Sequence, residues 1–142
     1  MWPIVHVVHI LAFLGCLIAS GFKLRILSAP NLDAGALQGL RRLDKVSSSS
    51  TGAIILTGGA MLAGQAGRIL HLSDPFFLTK IALFLLASSL VLASKVFLRR
   101  HPPMEDFGSV ETPGWMRVAI AVDLGSILAI AGLGAAIAHG LL

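Results

Sequence analysis

The run DPFFLTKIALFLLASSLVLASKVFLRR, from Asp74 to Arg100, decides the fold class of this chain. Roughly 20 apolar residues in a row are long enough to cross the hydrocarbon layer of a bilayer as a helix. A helix satisfies its own backbone polar groups there, which an isolated strand or loop cannot do. Asp74 suits an N-cap and Pro75 a first helical turn, where the missing N–H costs nothing. Arg99 and Arg100 close the run with charges that belong among headgroups. Three further apolar runs accompany it, so the chain reads as four spans over residues 2–22, 51–72, 76–98 and 115–139. Of its 142 residues, 56% are hydrophobic and only 13% charged, where soluble domains carry about a quarter charged residues. The expected fold is therefore an all-α integral membrane four-helix antiparallel bundle in a single domain.

The net charge of +4 would suggest nucleic acid as a partner for a soluble protein. Here the basic residues flank apolar runs, so the lipid bilayer is the partner and nucleic acid is not. The first apolar run begins at Trp2 with no basic segment ahead of it and reads as a retained signal-anchor span. The single cysteine, Cys16, leaves no internal disulfide to form. Between spans one and two, Leu37, Leu40, Leu43 and Val46 recur at helical spacing against Arg41, Arg42, Asp44 and Lys45. That pattern predicts a short amphipathic helix lying in the interface, the alternative being a solvated linker.

Span two is rich in small residues. Ala60 with Gly64, and Ala63 with Gly67, repeat at the interval of four that lets helix backbones approach closely in lipid, which points to the bundle interior. Ala121, Gly125 and Ala129 repeat likewise in span four. Such faces also suit a docking partner or a homo-oligomer. Nine of the eleven Lys and Arg residues fall in or beside the first and third connections. The positive-inside rule then puts both termini outside the cytoplasm and the two longer connections in it.

On that arrangement the remaining cations and most histidines gather at one face. His6 and His9 open span one, Arg68 and His71 end span two, Lys80 opens span three and His139 ends span four. His6 and His9, three apart, share a helix side, with Phe13 and Cys16 continuing that of His9. A histidine turned into a helical bundle is the simplest haem or metal site, and His9 sits deeper than His6. At a span end, a histidine can instead be an ordinary solvated group. Lys80 either lifts its ammonium to the headgroups or, with Arg68, holds an anionic group such as a porphyrin propionate. Lys80 could also supply a proton. Asp123 is the other charge inside a span, with Lys95 at comparable depth as its expected ion-pair partner and proton relay as the functional alternative.

The segments HILAFLGCLIASGFKLRIL (His9 to Leu27), LDKVSSSSTGAIILTGG (Leu43 to Gly59), FFLTKIALFL (Phe76 to Leu85) and MRVAIAVDLGSILAIAGLGAAIAHG, near the end, carry a resemblance. It is to an uncharacterised family of four-span bacterial membrane proteins and, more distantly, to HemJ-type protoporphyrinogen oxidases and CopD-like copper-resistance proteins. The resemblance implies that His9 is a haem-b ligand and Lys80 a functional lysine. The chain departs from HemJ-type proteins around Gly15 and Cys16, where aromatic residues are usual. It departs again in span four, where Asp123 stands without an Asn-Glu pair. The expected function is a haem-b-binding membrane redox protein, with His9 as axial ligand to the iron, His6 and Arg68 beside the cofactor, and Lys80 catalytic or holding propionates. Electrons would pass to a quinone or another carrier. The alternatives are a non-enzymatic protein that binds or transports a metal ion or small anion, and a structural subunit.

Overall fold

The computed structural model describes residues 2–64, 75–100 and 109–138. They form four helices: α1 (Trp2–Leu27), α2 (Ala34–Gly64), α3 (Pro75–Arg100) and α4 (Gly114–Ala138). All four are long and apolar enough to cross a membrane. Each packs on two neighbours in a closed ring, most extensively α1 on α2 and least α2 on α3. The end of α1, the start of α2, the end of α3 and the start of α4 meet in one cluster: Leu27, Leu37, Leu40, Leu98, Met116 and Ile120. The helices therefore alternate in direction, and the fold is the all-α antiparallel membrane bundle expected.

That cluster makes one end of the bundle a dry cap, and backbone pairing closes over it. Strands β1 (Asn31–Leu32) and β2 (Val110–Glu111) pair antiparallel, Asn31 opposite Glu111 and Leu32 opposite Val110, tying two connections together. Thr112 donates its N–H to the Pro30 carbonyl (2.9 Å) and its hydroxyl to that of Ala29 (2.7 Å). Helix ends leave carbonyls without intrahelical partners, and cations satisfy them best. Arg117 donates Nε to Leu27 O (2.6 Å) and Nη2 to Ala29 O (2.9 Å) where α1 ends. Arg41 donates to Leu98 O at the end of α3 (3.2 Å). Two arginines expected only as headgroup charges thus also terminate helices. Asp33 starts α2 as its N-cap, its Oδ1 accepting from Ala36 N–H at 2.7 Å.

Three sequence expectations are corrected. The amphipathic stretch is not a separate interfacial helix, because α2 runs unbroken from Ala34 to Gly64 and seats Leu37 and Leu40 in the protein cap rather than in lipid. The small residues of span two do not make it the interior of the bundle: Ala60, Ala63 and Gly64 are exposed, and Gly67 lies outside the described residues. Ala121, Gly125 and Ala129 also face outward, because α4 turns Met116, Ile120, Asp123 and Ile127 inward. Among the described glycines the tightest surroundings are at Gly15 of α1, where an added Cβ would lie 2.6 Å from Ser50 Oγ of α2.

Candidate functional site

Polar groups inside a bilayer are stable only when they face one another, and two matched stripes do so here. On α1, His9, Phe13, Cys16, Ser20, Lys23 and Leu27 succeed each other at steps of four and three, which keeps them on one side of a helix. On α2, Asp44, Ser47, Thr51, Ile54 and Gly58 do the same. Facing each other, they form a polar seam down the bundle. At the capped end Lys23, 2% exposed, pairs with Asp44 across 3.3 Å. One turn on, Ser20 Oγ donates to Asp123 Oδ2 of α4 at 2.5 Å. Then comes Cys16, whose Sγ lies 3.8 Å from Ser47 O and 3.7 Å from Thr51 Oγ1. Asp123, 1% exposed, is therefore met by Ser20 and not by Lys95, whose ammonium donates to Ser48 Oγ at 3.2 Å. The expected Lys95–Asp123 pair does not form because α2 lies within reach of Lys95.

At the other end of the seam is His9. Its Nδ1 lies 2.8 Å from Thr57 Oγ1. The Thr57 hydroxyl has one proton, and the Ala53 carbonyl at 2.6 Å takes it. The Thr57 oxygen therefore accepts from His9 Nδ1–H, which leaves Nε2 carrying the lone pair. Gly58 borders this ring: a Cβ there would meet His9 Cε1 at 3.6 Å, an ordinary van der Waals contact. His9 lines a cleft of about 720 Å³ that separates α2 from α3, and Lys80 lines the same cleft. Its other walls are apolar and aromatic, including Phe13, Phe77, Phe84 and Ile130. Volumes of about 300–1,000 Å³ with apolar walls and a few polar groups are typical of small-molecule sites.

Of the residues singled out from sequence, the fold brings His9 and Lys80 together. His6 is exposed, one turn nearer the end of α1, and does not line the cleft. Arg68, His71 and His139 lie outside the described residues, as does Asp74. Among the described residues no three His, Cys, Asp or Glu side chains gather as a metal cage. Sequence reasoning missed Thr57, Ser20 and the buried Lys23–Asp44 pair. A signal for Lys23 alone was present, in the spacing of seven that joins it to Cys16 and His9.

No curated protein and no solved structure matches the chain. The family described as "Predicted membrane protein (DUF2214)" matches residues 2–141, and the chain belongs to that family.

Proposed function

We propose that the cleft binds haem b, with His9 Nε2 as axial ligand, and that the protein is a membrane-embedded redox protein of HemJ-like character. One observation carries the reading: His9 and Lys80 share an apolar cleft of cofactor size, and His9 Nδ1 is held by Thr57. Metal-ligating histidines almost always donate their second ring N–H to a neighbour, which fixes the tautomer and aims the other nitrogen. The residues present fit the group. Phe77, Phe84 and Ile81 offer flat apolar walls, and the Lys80 ammonium suits a propionate. The resemblance of the His9 and Lys80 segments to HemJ-type oxidases points the same way.

Bound haem would supply one-electron chemistry, with a quinone as the electron partner in lipid. The chain's own residues then have distinct tasks. Thr57 orients the imidazole, the aromatic walls exclude water, and Lys80 holds the anionic edge. In this reading the chain sits in a bacterial inner membrane with both termini outside, so the cleft opens toward the outer leaflet.

Purified full-length protein, expressed with haem supply, should contain iron and porphyrin in equal amounts. Thr57→Val should weaken retention about 10–100-fold, the usual cost of losing such a supporting hydrogen bond. Copper or zinc without porphyrin would replace this reading with metal binding or transport. Absence of any metal or porphyrin would remove both.

A further inference from the structure

The cleft has a neighbour. A second cavity, of about 20 Å³ and room for a single water, lies between the four helices and is lined by Cys16, Ser20, Ser47, Thr51, Ser88 and Asp123 among others. Four residues line both spaces: Phe13 of α1, Ile54 of α2, Phe84 of α3 and Ile130 of α4. One large apolar side chain from each helix thus forms a collar between the inner chamber around Asp123 and the cleft. Apolar constrictions of this kind gate by excluding water until they widen.

The chamber's charges do not balance as they stand. Lys23 is the cation that acts on both Asp44 and Asp123, and Lys95 of α3 keeps its charge beside the Ser48 hydroxyl, outside the chamber lining. Cys16 faces Thr51 and the Ser47 carbonyl as a thiol. Asp123 receives only a neutral donor, Ser20, among its described hydrogen bonds. With Asp44 and Asp123 both ionised, the single Lys23 charge would be shared between two carboxylates, and the excess negative charge in a mostly apolar interior favours neutralisation. The hydroxyls of Ser47, 1% exposed, and of Ser88 have no hydrogen-bond partner among the described residues, yet both line the chamber. A water there could bond them and the Asp123 carboxyl together. With apolar walls dominating the chamber, a proton neutralises the carboxylate with far less coordination than a metal cation demands.

We propose that Asp123 is a proton store for the cleft, protonated at rest and discharged through the Phe13–Ile54–Phe84–Ile130 collar. When the collar opens, the Asp123 O–H breaks as its proton passes to the chamber water. That water releases one of its own protons through the open collar to a basic oxygen or nitrogen of the molecule in the cleft, and Asp123 stays ionised until a proton returns by the same route. The opposite route is closed by the Lys23–Asp44 pair and by the dry cap of Leu27, Leu37 and Leu40. The cleft gains a proton source sealed from the other side of the membrane, whatever molecule occupies it.

Infrared spectroscopy of the full-length protein in lipid, without any added ligand, tests this separately from haem binding. A carbonyl stretch of a protonated carboxylic acid is expected in the wild type and absent in Asp123→Asn. On transfer to D2O the band should shift slowly. Phe84→Ala, or the milder Phe84→Leu, should speed that shift about tenfold or more, the equivalent of roughly 1.4 kcal/mol off the barrier. Leu40→Ala in the cap should leave the exchange rate unchanged. The proposal is overturned if no such band belongs to Asp123, if sodium ions abolish it at constant pH, or if the cap variant rather than the collar variants sets the exchange rate.

Discussion

Lys23 shows how far a single side chain's role depends on where its helix ends. It follows the apolar run of span one and reads as a headgroup charge, but α1 continues to Leu27 and α2 starts only at Ala34, so another turn of helix lies beyond it. Lys23 is instead one of the largest fully buried side chains, held by Asp44. Removing one partner of such a pair leaves a charge in low dielectric, at a cost of about 3–5 kcal/mol. Lys23→Met should therefore destabilise the purified protein by that order in denaturant titrations, and the Lys23→Met/Asp44→Leu double variant should recover most of the loss. Equal, additive losses in the two single variants and the double would show that the pair carries no such energy. The sequence did contain the clue. Lys23 falls seven residues after Cys16 and fourteen after His9, on one helix side. Asp44 was hidden because it sits among Arg41, Arg42 and Lys45 and passes for part of a solvated face. His9 was legible as a deep histidine, but its Thr57 partner was not, since a threonine in an apolar helix gives no sign of which helix it faces.

At the scale of the element, α2 departs most from its sequence. Four serines, Ser47 to Ser50, look like a break between an interfacial helix and a span, because serine competes for backbone hydrogen bonds. The fold gives those residues separate tasks within one continuous helix: Ser47 lines the chamber, Ser48 meets Lys95 and Ser50 faces Gly15. Packing on both sides overrides weak local propensity. Ser49 is exposed and touches none of these groups, so it tests continuity cleanly. A proline inside a helix removes a backbone hydrogen bond and clashes with the preceding turn, at about 3 kcal/mol or more. Ser49→Pro should lower the midpoint of unfolding in detergent accordingly; a variant as stable as wild type would mean that the helix is broken at the serines. The small-residue intervals misled for a related reason. In α4 the interval of four fits both Ala121–Gly125–Ala129 and the opposite stripe through Asp123 and Ile127, and only the charge of Asp123 says which stripe turns inward.

Across the whole molecule the bundle is graded along its length. A dry apolar cap at one end gives way to the Lys23–Asp44 pair, then to the small chamber around Asp123, then to the apolar collar, and last to the wide cleft. Packing loosens in the same direction, since the cleft opens between α2 and α3, the helix pair least in contact. Stability is therefore concentrated at the cap, and the loosely packed end is free to carry a ligand. The architecture and the gathering of His9 and Lys80 follow from span lengths and antiparallel order alone. The cleft and collar required coordinates, since they depend on how far two helices stand apart. The most direct measurement is the visible absorption spectrum of the purified full-length protein titrated with haem. The account predicts a Soret band that saturates at one haem per chain, is lost in His9→Ala and persists in His6→Ala. No band in the wild type, or the same band in His9→Ala, would contradict it.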